Sequence, residues 1–185
     1  MSIAGVLLAA GSGSRFLGST HKLLADFKGQ PLVSACLDPL LAAGFDEVIV
    51  VTGAVDLDRV LPATVTMIKN HEWERGQSSS LQAAVHYAEH VGHDSVVVGL
   101  GDQPFVTTEA WTEVAEAEGD IVTAVFEGHR RPPVKLSDLV WPLLPIDGDE
   151  GARVLFRSRP DLVREVACTG RPFDIDTLED LERWS

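Results

Sequence analysis

Three clusters of residues in this 185-residue chain have the types and spacing to handle phosphates. The first is Gly11-Ser12-Gly13-Ser14-Arg15, followed by Gly18 and Lys22. Gly11 and Gly13 permit a sharp turn with positive φ, so that successive N–H groups converge on phosphate oxygens, while Arg15 and Lys22 add mobile positive charge. That combination suits a triphosphate. The spacing is not that of a Walker loop, and the third glycine of a dinucleotide-binding fingerprint is missing. The second cluster is Gly101-Asp102-Gln103-Pro104. A hard cation such as Mg²⁺ takes one or two carboxylates together with phosphate oxygens and water, and Asp102 can supply one; the same residue could instead cap the turn. The third is cationic, with Arg130, Arg131 and Lys135 in a stretch from Gly128 to Ser137 that holds no carboxylate.

The elements that must position these clusters follow from the apolar pattern. Continuous Val/Ile/Leu runs at Ile3–Ala10, Glu47–Thr52, Val65–Lys69, Ser95–Leu100 and Asp120–Phe126 predict strands buried on both faces of a mainly parallel sheet. Helical patterns at Leu32–Ala43, Ser78–His90 and Thr108–Glu118 fall between them. This alternation predicts a single-domain, doubly wound α/β fold. Beyond Phe126 the pattern weakens: Val134–Leu136 and Asp161–Cys168 read as strands, and Ser137–Leu144 and Gly151–Arg159 as helices. Thr177 caps a closing helix to Trp184. In such a sheet, ligands bind at the carboxyl ends of the strands where the winding reverses, which selects the loop after Ala10 and the turn at Asp102.

Composition narrows the function further. One domain of this length buries its own core, and no segment has 18 consecutive apolar residues, so the expected setting is the cytoplasm without membrane insertion. A net charge of −13 argues against nucleic acid as a partner. Against that background, Met1 to Pro31 carries three cations and one carboxylate, a positive island; with the second cationic stretch it suggests two small anionic ligands. Cys36 and Cys168 match no metal-ligand spacing and read as reduced structural thiols. His86 and His90 are spaced i, i+4, but the segment lacks the glutamate base of a zinc protease and reads as a solvated helix face.

Leu8-Ala9-Ala10-Gly11-x-Gly13-x-Arg15, then Lys22, resembles the signature of the MobA-like nucleotidyltransferases, and the resemblance extends from Gly5 to Leu181. It implies a Rossmann-like nucleotidyltransferase fold, with residues 1–105 as the NTP-binding half and 106–185 as the acceptor half. The double alanine and the Gly-Asp-Gln-Pro turn are similar to the branch that transfers CMP to the molybdenum cofactor, rather than to the guanylyl branch. The stretch from Arg15 to Lys22 is longer than is usual in the family. Asn70, Gly76 and the serines Ser78, Ser79 and Ser80 resemble the segment that holds base and ribose, although the serines could simply cap a helix. Phe173-Asp174-Ile175-Asp176-Thr177 resembles the family's closing motif, in which Asp174 or Asp176 supplies a second metal carboxylate; Asp174 is the preferred one. Pro133, Lys135, Gly151 and Arg153 fall in segments that resemble the acceptor half.

The resemblance therefore implies a Mg²⁺-dependent (or Mn²⁺-dependent) transferase that moves NMP, CMP foremost, onto a small phosphorylated acceptor such as molybdopterin. Arg15, Lys22 and Asp102 are its catalytic residues, and Leu8, Ala9, Ala10, Gly11, Ser12, Gly13 and Lys22 contact the nucleotide. The expected state is a monomer or weak dimer, in transient contact with a molybdoenzyme maturation protein. The alternatives are a guanylyltransferase of the same family or a nucleotide-binding regulatory module without turnover.

Overall fold

The computed structural model describes residues 1–185. Seven strands form one sheet: β1 (Ile3–Ala9), β4 (Glu47–Thr52), β5 (Thr66–Lys69), β6 (Ser95–Leu100), β7 (Ile121–Phe126), β8 (His129–Ser137) and β9 (Val163–Ala167). A short hairpin, β2 (Asp26–Phe27) with β3 (Gln30–Pro31), lies apart from it. The helices are α1 (Leu32–Ala42), α2 (Gln77–Val91), α3 (Thr108–Glu116), α4 (Arg153–Ser158) and α5 (Leu178–Trp184). The expected single α/β unit with a mostly parallel sheet is what forms.

The strand order is β5-β4-β1-β6-β8-β7-β9. From β1 the chain winds outward through β4 to β5, then returns to place β6 on the other side of β1. The winding reverses between β1 and β6, so their carboxyl ends flank the crevice where such sheets bind ligands. Both faces are covered. Within one strand the buried residues alternate: Leu7 and Ala9 pack with Val50, Leu37 and Trp111 on one face, while Val6 and Leu8 pack with Val51, Leu81 and Val98 on the other. An unbroken apolar run is thus two half-strands of core, one for each helical layer. Gly99 fits the same logic, since a Cβ there would stand 2.4 Å from the Trp111 ring.

The expectation of a mainly parallel sheet fails at one strand. β8 runs antiparallel to both β6 and β7, and it is nine residues long where a short Val134–Leu136 strand is expected. Its sequence, HRRPPVKLS, hides the strand because Pro132 and Pro133 cannot donate to a ladder. The register between β7 and β8 shifts where they occur, from Thr123↔Val134 to Ala124↔Arg131, so both prolines leave the pairing. The Ser137–Leu144 segment forms a 3₁₀ helix at Asp138–Leu143 rather than an α-helix, with Pro142 inside it. Thr177 caps α5 as expected, in a reciprocal box with Asp180.

At the sheet edge opposite the crevice, Glu47 gathers the amino ends of three strands. It accepts hydrogen bonds from Thr66 and Tyr87, and His93 Nε2 lies 2.7 Å from its other oxygen. His93 Nδ1 in turn meets Ser2 Oγ at 2.8 Å. Partial burial opposes the charge on Glu47, but the bonds from Thr66, His93 and Tyr87 outweigh it and hold the carboxyl below its ordinary value. A depressed carboxyl stabilises the fold above its unfolded-state pKa and loses that contribution as pH falls through the lower folded value. Glu47→Gln should therefore lower the thermal midpoint by a few degrees at pH 7, roughly what loss of 1 to 2 kcal/mol gives in a chain of this size. The gap to wild type should close as pH drops below about 4. Melting curves at pH 7, 5, 4 and 3 check this, and a gap that stays constant would show that the charge of Glu47 is immaterial.

Candidate active site

The loop after β1 turns through Gly13, whose φ is +62°, and the following residues fold back on it. His21 Nε2 lies 3.1 Å from the Gly11 carbonyl, while its Nδ1 accepts from the Leu23 N–H at 3.2 Å. One neutral tautomer, protonated at Nε2, satisfies both contacts. Burial lowers the pKa of this ring, Lys22 adds to the effect, and the Gly11 and Ser12 contacts oppose it. His21 is a site residue that the sequence reading missed, because it looked like part of a spacer. The long stretch between Arg15 and Lys22 bulges outward, with Leu17 85% exposed, and His21 pins its return. Lys22 then opens a 3₁₀ turn, Lys22–Leu24, and is itself 8% exposed.

The Lys22 ammonium lies between two carboxylates. Nζ is 2.8 Å from Asp102 Oδ2 and 3.1 Å from Asp176 Oδ1, and the other oxygen of Asp176 is 3.0 Å from the Arg15 guanidinium. Burial works against the charge on Lys22, but Asp102 and then Asp176 more than compensate, so its pKa rises above the ordinary lysine value. The preferred carboxylate, Asp174, is placed differently. It accepts a hydrogen bond from Gln103 Nε2 at 2.7 Å, and its carboxyl is raised by desolvation and by the negative charges of Asp102 and Asp176. Asp176, not Asp174, faces the same ammonium as Asp102. The two aspartates are two residues apart, the spacing that puts both on one side of an extended segment, and both line the smaller cavity; only Asp176 reaches the ammonium.

Two adjoining cavities open at this edge. The larger, about 550 Å³, runs over Ala10 to Arg15 and Lys22 to Trp73, Gly76 and Ser80. The smaller, about 340 Å³, is bounded by Arg130, Arg131, Phe156 and Asp174. Leu8, Arg15, Gln77, Leu100, Asp102, Arg153 and Asp176 line both. Of the expected nucleotide contacts, Leu8, Ala10, Gly11, Ser12, Gly13, Lys22, Gly76 and Ser80 line the larger cavity. Ala9 does not, because strand alternation turns it to the opposite core. Asn70 is a brace rather than a contact: buried, it donates to Ser79 Oγ and Ser80 Oγ at 2.9 and 3.0 Å and accepts from the Glu72 N–H. Ser79 returns its hydroxyl to the Gly76 and Glu72 carbonyls, and Ser78 is fully buried. Gly76 is needed for close approach, since a Cβ there would stand 2.6 Å from the Gly148 backbone.

The acceptor-side residues divide in the same way. Arg153 lines both cavities, whereas Pro133 and Gly151 line neither; Pro133 is buried, and Gly151 packs against Gln77. Lys135 is overturned as an anion contact. Its neighbours Val134 and Leu136 face one core, so Lys135 points to the other side, where Nζ binds the Ala115 and Ala117 carbonyls at 3.0 and 2.7 Å. It caps the end of α3, where free carbonyls favour a cation, and burial lowers its pKa. The sequence reading passed over Gln77, Gln103 and Phe156, which carry no charge signal, although all three line the site.

Residues 5–164 match the family described as MobA-like NTP transferase domain. The chain belongs to this family. Among MobA-like relatives, it is 32% identical to nicotine blue oxidoreductase of Paenarthrobacter nicotinovorans, covering 98% of this chain and 95% of that one. It is also 32% identical to the purine catabolism protein PucB of Bacillus subtilis, covering 97% and 94%. A solved structure of Rv0371c from Mycobacterium tuberculosis superposes with a TM-score of 0.87 at 29% identity, covering 99% and 96%. The same mycobacterial protein has been solved in complex with manganese, with a TM-score of 0.78, 28% identity and coverage of 100% and 98%.

The MobA-like site fits a divalent cation by its donor set. No cluster of three His, Cys, Asp or Glu side chains stands close enough to hold a metal alone. Asp102 Oδ1 is buried without a hydrogen-bond partner, however, and Asp102 and Asp176 already share one cation, the Lys22 ammonium. A hard ion that keeps water and phosphate oxygens as its other ligands needs no more. Such an ion, if held by Asp102 and Asp176, would compete with Lys22 for the same two carboxylates. Lys22→Met should therefore tighten binding of Mn²⁺ to the nucleotide-free protein by about tenfold or more, since a competing charge is removed. Electron paramagnetic resonance titration of free Mn²⁺ reads this directly, and weaker or unchanged binding would show that Lys22 does not stand in the ion's place.

Proposed function

We propose that this MobA-like protein is a nucleotidyltransferase that moves CMP from CTP onto a small phosphorylated acceptor, molybdopterin being the leading candidate. The observation that carries the reading is the pair of adjoining cavities joined at Arg15, Asp102 and Asp176. Two anionic substrates can meet there, over carboxylates and cations that neither substrate would need alone. In this reading the triphosphate lies over the N–H groups of Gly11 to Ser14, with the base toward Ala10, Trp73 and Ser80. An acceptor phosphate oxygen attacks the α-phosphorus, the bond from that phosphorus to the bridging oxygen breaks, and pyrophosphate leaves with the bonding pair. The nucleophile is already ionised, so no general base is required, which accords with a site built from carboxylates, cations and amide groups.

A divalent ion held by Asp102 and Asp176, Mg²⁺ or Mn²⁺, would supply charge neutralisation at the bridging phosphate oxygens. The manganese complex of the mycobacterial relative supports this. Arg15 and Lys22, released from the carboxylates, neutralise the departing pyrophosphate, so catalysis is positioning and electrostatics. The likeness to nicotine blue oxidoreductase favours a second reading, an oxidoreductase built on the same frame. Incubating the protein with each NTP, Mg²⁺ and phosphorylated acceptors, molybdopterin included, and following pyrophosphate separates the two. A transferase releases one pyrophosphate per acceptor consumed, and the absence of release with every pair would end the first reading.

Asp102→Asn should lower kcat by on the order of 10² or more while the protein remains folded, because it weakens the clamp where charge develops. Full retained activity would remove Asp102 from the mechanism. The nucleotide preference is set at Ala10. Ala10 and Trp73 both stand against Gly53, where a Cβ would lie 2.8 Å from the Ala10 methyl and 2.8 Å from the Trp73 Cβ, and both line the larger cavity. Ala10→Gly should open the base end of the cavity and narrow the CTP-to-GTP ratio of kcat/KM, by no more than about 1 to 3 kcal/mol for one methyl. A wild type that prefers GTP would transfer the assignment to the guanylyl branch.

A further inference from the structure

We infer that His21 is a positioning residue for the triphosphate: by holding the Gly11 carbonyl, it turns the Ser12 N–H and the peptides that follow toward the larger cavity. The inference rests on the transferase reading for the identity of the anion. The arrangement of the loop stands on its own contacts.

Four consecutive carbonyls of the loop are held by the protein. The Ala10 carbonyl accepts from the Ala54 N–H at 3.1 Å, and the Gly11 carbonyl accepts from His21 Nε2 at 3.1 Å. The Ser12 carbonyl bears on the same ring, and the Gly13 carbonyl accepts from the Phe16 N–H at 2.8 Å. In a planar trans peptide the carbonyl and the next N–H point in opposite directions. Each held carbonyl therefore turns the following N–H away from its holder. No N–H from Gly11 to Ser14 is spent on a backbone carbonyl, and all four residues line the larger cavity. Successive free N–H groups of this kind are what an anion-binding nest presents.

One imidazole thus serves two of the four carbonyls, and that ring has little freedom. Nε2 donates to Gly11, which leaves Nδ1 as the acceptor for the Leu23 N–H, and Leu23 is buried in the core. Lys22, between them in the chain, is fixed by Asp102 and Asp176. The loop lies directly against this turn, since a Cβ at Gly13 would stand 3.1 Å from Lys22 Cβ and 3.5 Å from His21 Nε2. Both ring nitrogens are engaged, so His21 cannot itself touch the phosphates and acts through the loop. The long stretch between Arg15 and Lys22 is therefore more than a spacer. Buried Phe16 anchors it at one end, and at the other it returns an imidazole behind the peptides that face the cavity. With those peptides already held, the loop needs no reordering when an anion binds, which favours affinity.

Two substitutions separate the two ring contacts, because the amide of Asn reaches the place of Nδ1 and the amide of Gln reaches that of Nε2. The full chain with Mg²⁺ is titrated with CTP and with CMP by calorimetry, and a melting curve of each variant shows that it is folded. His21→Gln keeps the bond to Gly11 and should bind CTP within about threefold of wild type. His21→Asn keeps only the acceptor for Leu23 and should bind CTP about tenfold more weakly than wild type. CMP lacks the β- and γ-phosphates, so its affinity should fall by less than about threefold in either variant. His21→Ala should bind CTP no better than His21→Asn, and if it folds poorly the comparison of Gln with Asn decides alone. CTP binding by His21→Gln that is no tighter than by His21→Asn, or equal losses for CTP and CMP, would overturn the inference, since His21 would then only support the turn at Lys22–Leu24. Wild-type protein that binds no CTP would end the transferase reading along with it.

Discussion

The ammonium of Lys22, shared by Asp102 and Asp176, is the interaction on which the rest of the site depends. It joins segments that lie 80 and 154 residues apart in the chain: the loop after β1, the turn after β6 and the extended segment before α5. Two carboxylates brought this close repel one another, and each alone would leave a partly buried charge uncompensated, which costs several kcal/mol. With Lys22 between them and Arg15 on the far oxygen of Asp176, the two cations and two carboxylates form a neutral unit. The arrangement stabilises the free protein and at the same time stores the charges that a nucleotide and its metal ion would engage. A site of this kind keeps its geometry when empty, because its own cations hold its own carboxylates in place.

Much of this was legible in the sequence, and the reasons differ from residue to residue. β4 and β6 have the bounds that their apolar runs predict, and β1 is within one residue, because strands buried on both faces tolerate little but Val, Ile and Leu. Gly13, Lys22 and Asp102 were legible because turns and charge leave few alternatives: a positive φ, a cation in an acidic chain, a carboxylate at a strand end. Lys135 and Asn70 were misread for one reason. A polar residue near a site can serve the ligand or the scaffold, and its type does not say which; only the face of β8 sends Lys135 to α3, and only the turn after β5 sends Asn70 to the serines. His21 was invisible because its work is done by contacts with the backbone, which any sequence can offer.

The antiparallel course of β8 was the largest architectural surprise, and it is what makes the second cavity. Val134 of β8 pairs with Val98 of β6, and Ser137 pairs with Ser95, so the amino end of β8 lies at the carboxyl end of β6. Arg130 and Arg131 therefore arrive at the same edge of the sheet as Asp102. Had β8 been parallel, as the buried apolar pattern of the other strands leads one to expect, its carboxyl end would stand at that edge and both arginines would lie at the far one. The cost of the reversal is visible in the strand itself: two prolines drop out of the ladder with β7, and the strand resumes beyond them. A parallel β8 would have needed a long crossover in place of the two-residue turn that joins it to β7, and it would have brought only the Gly11–Arg15 loop and the Asp102 turn to the crevice. One reversed strand adds a cationic rim beside them, and a nucleotide site becomes a site where two anions can meet.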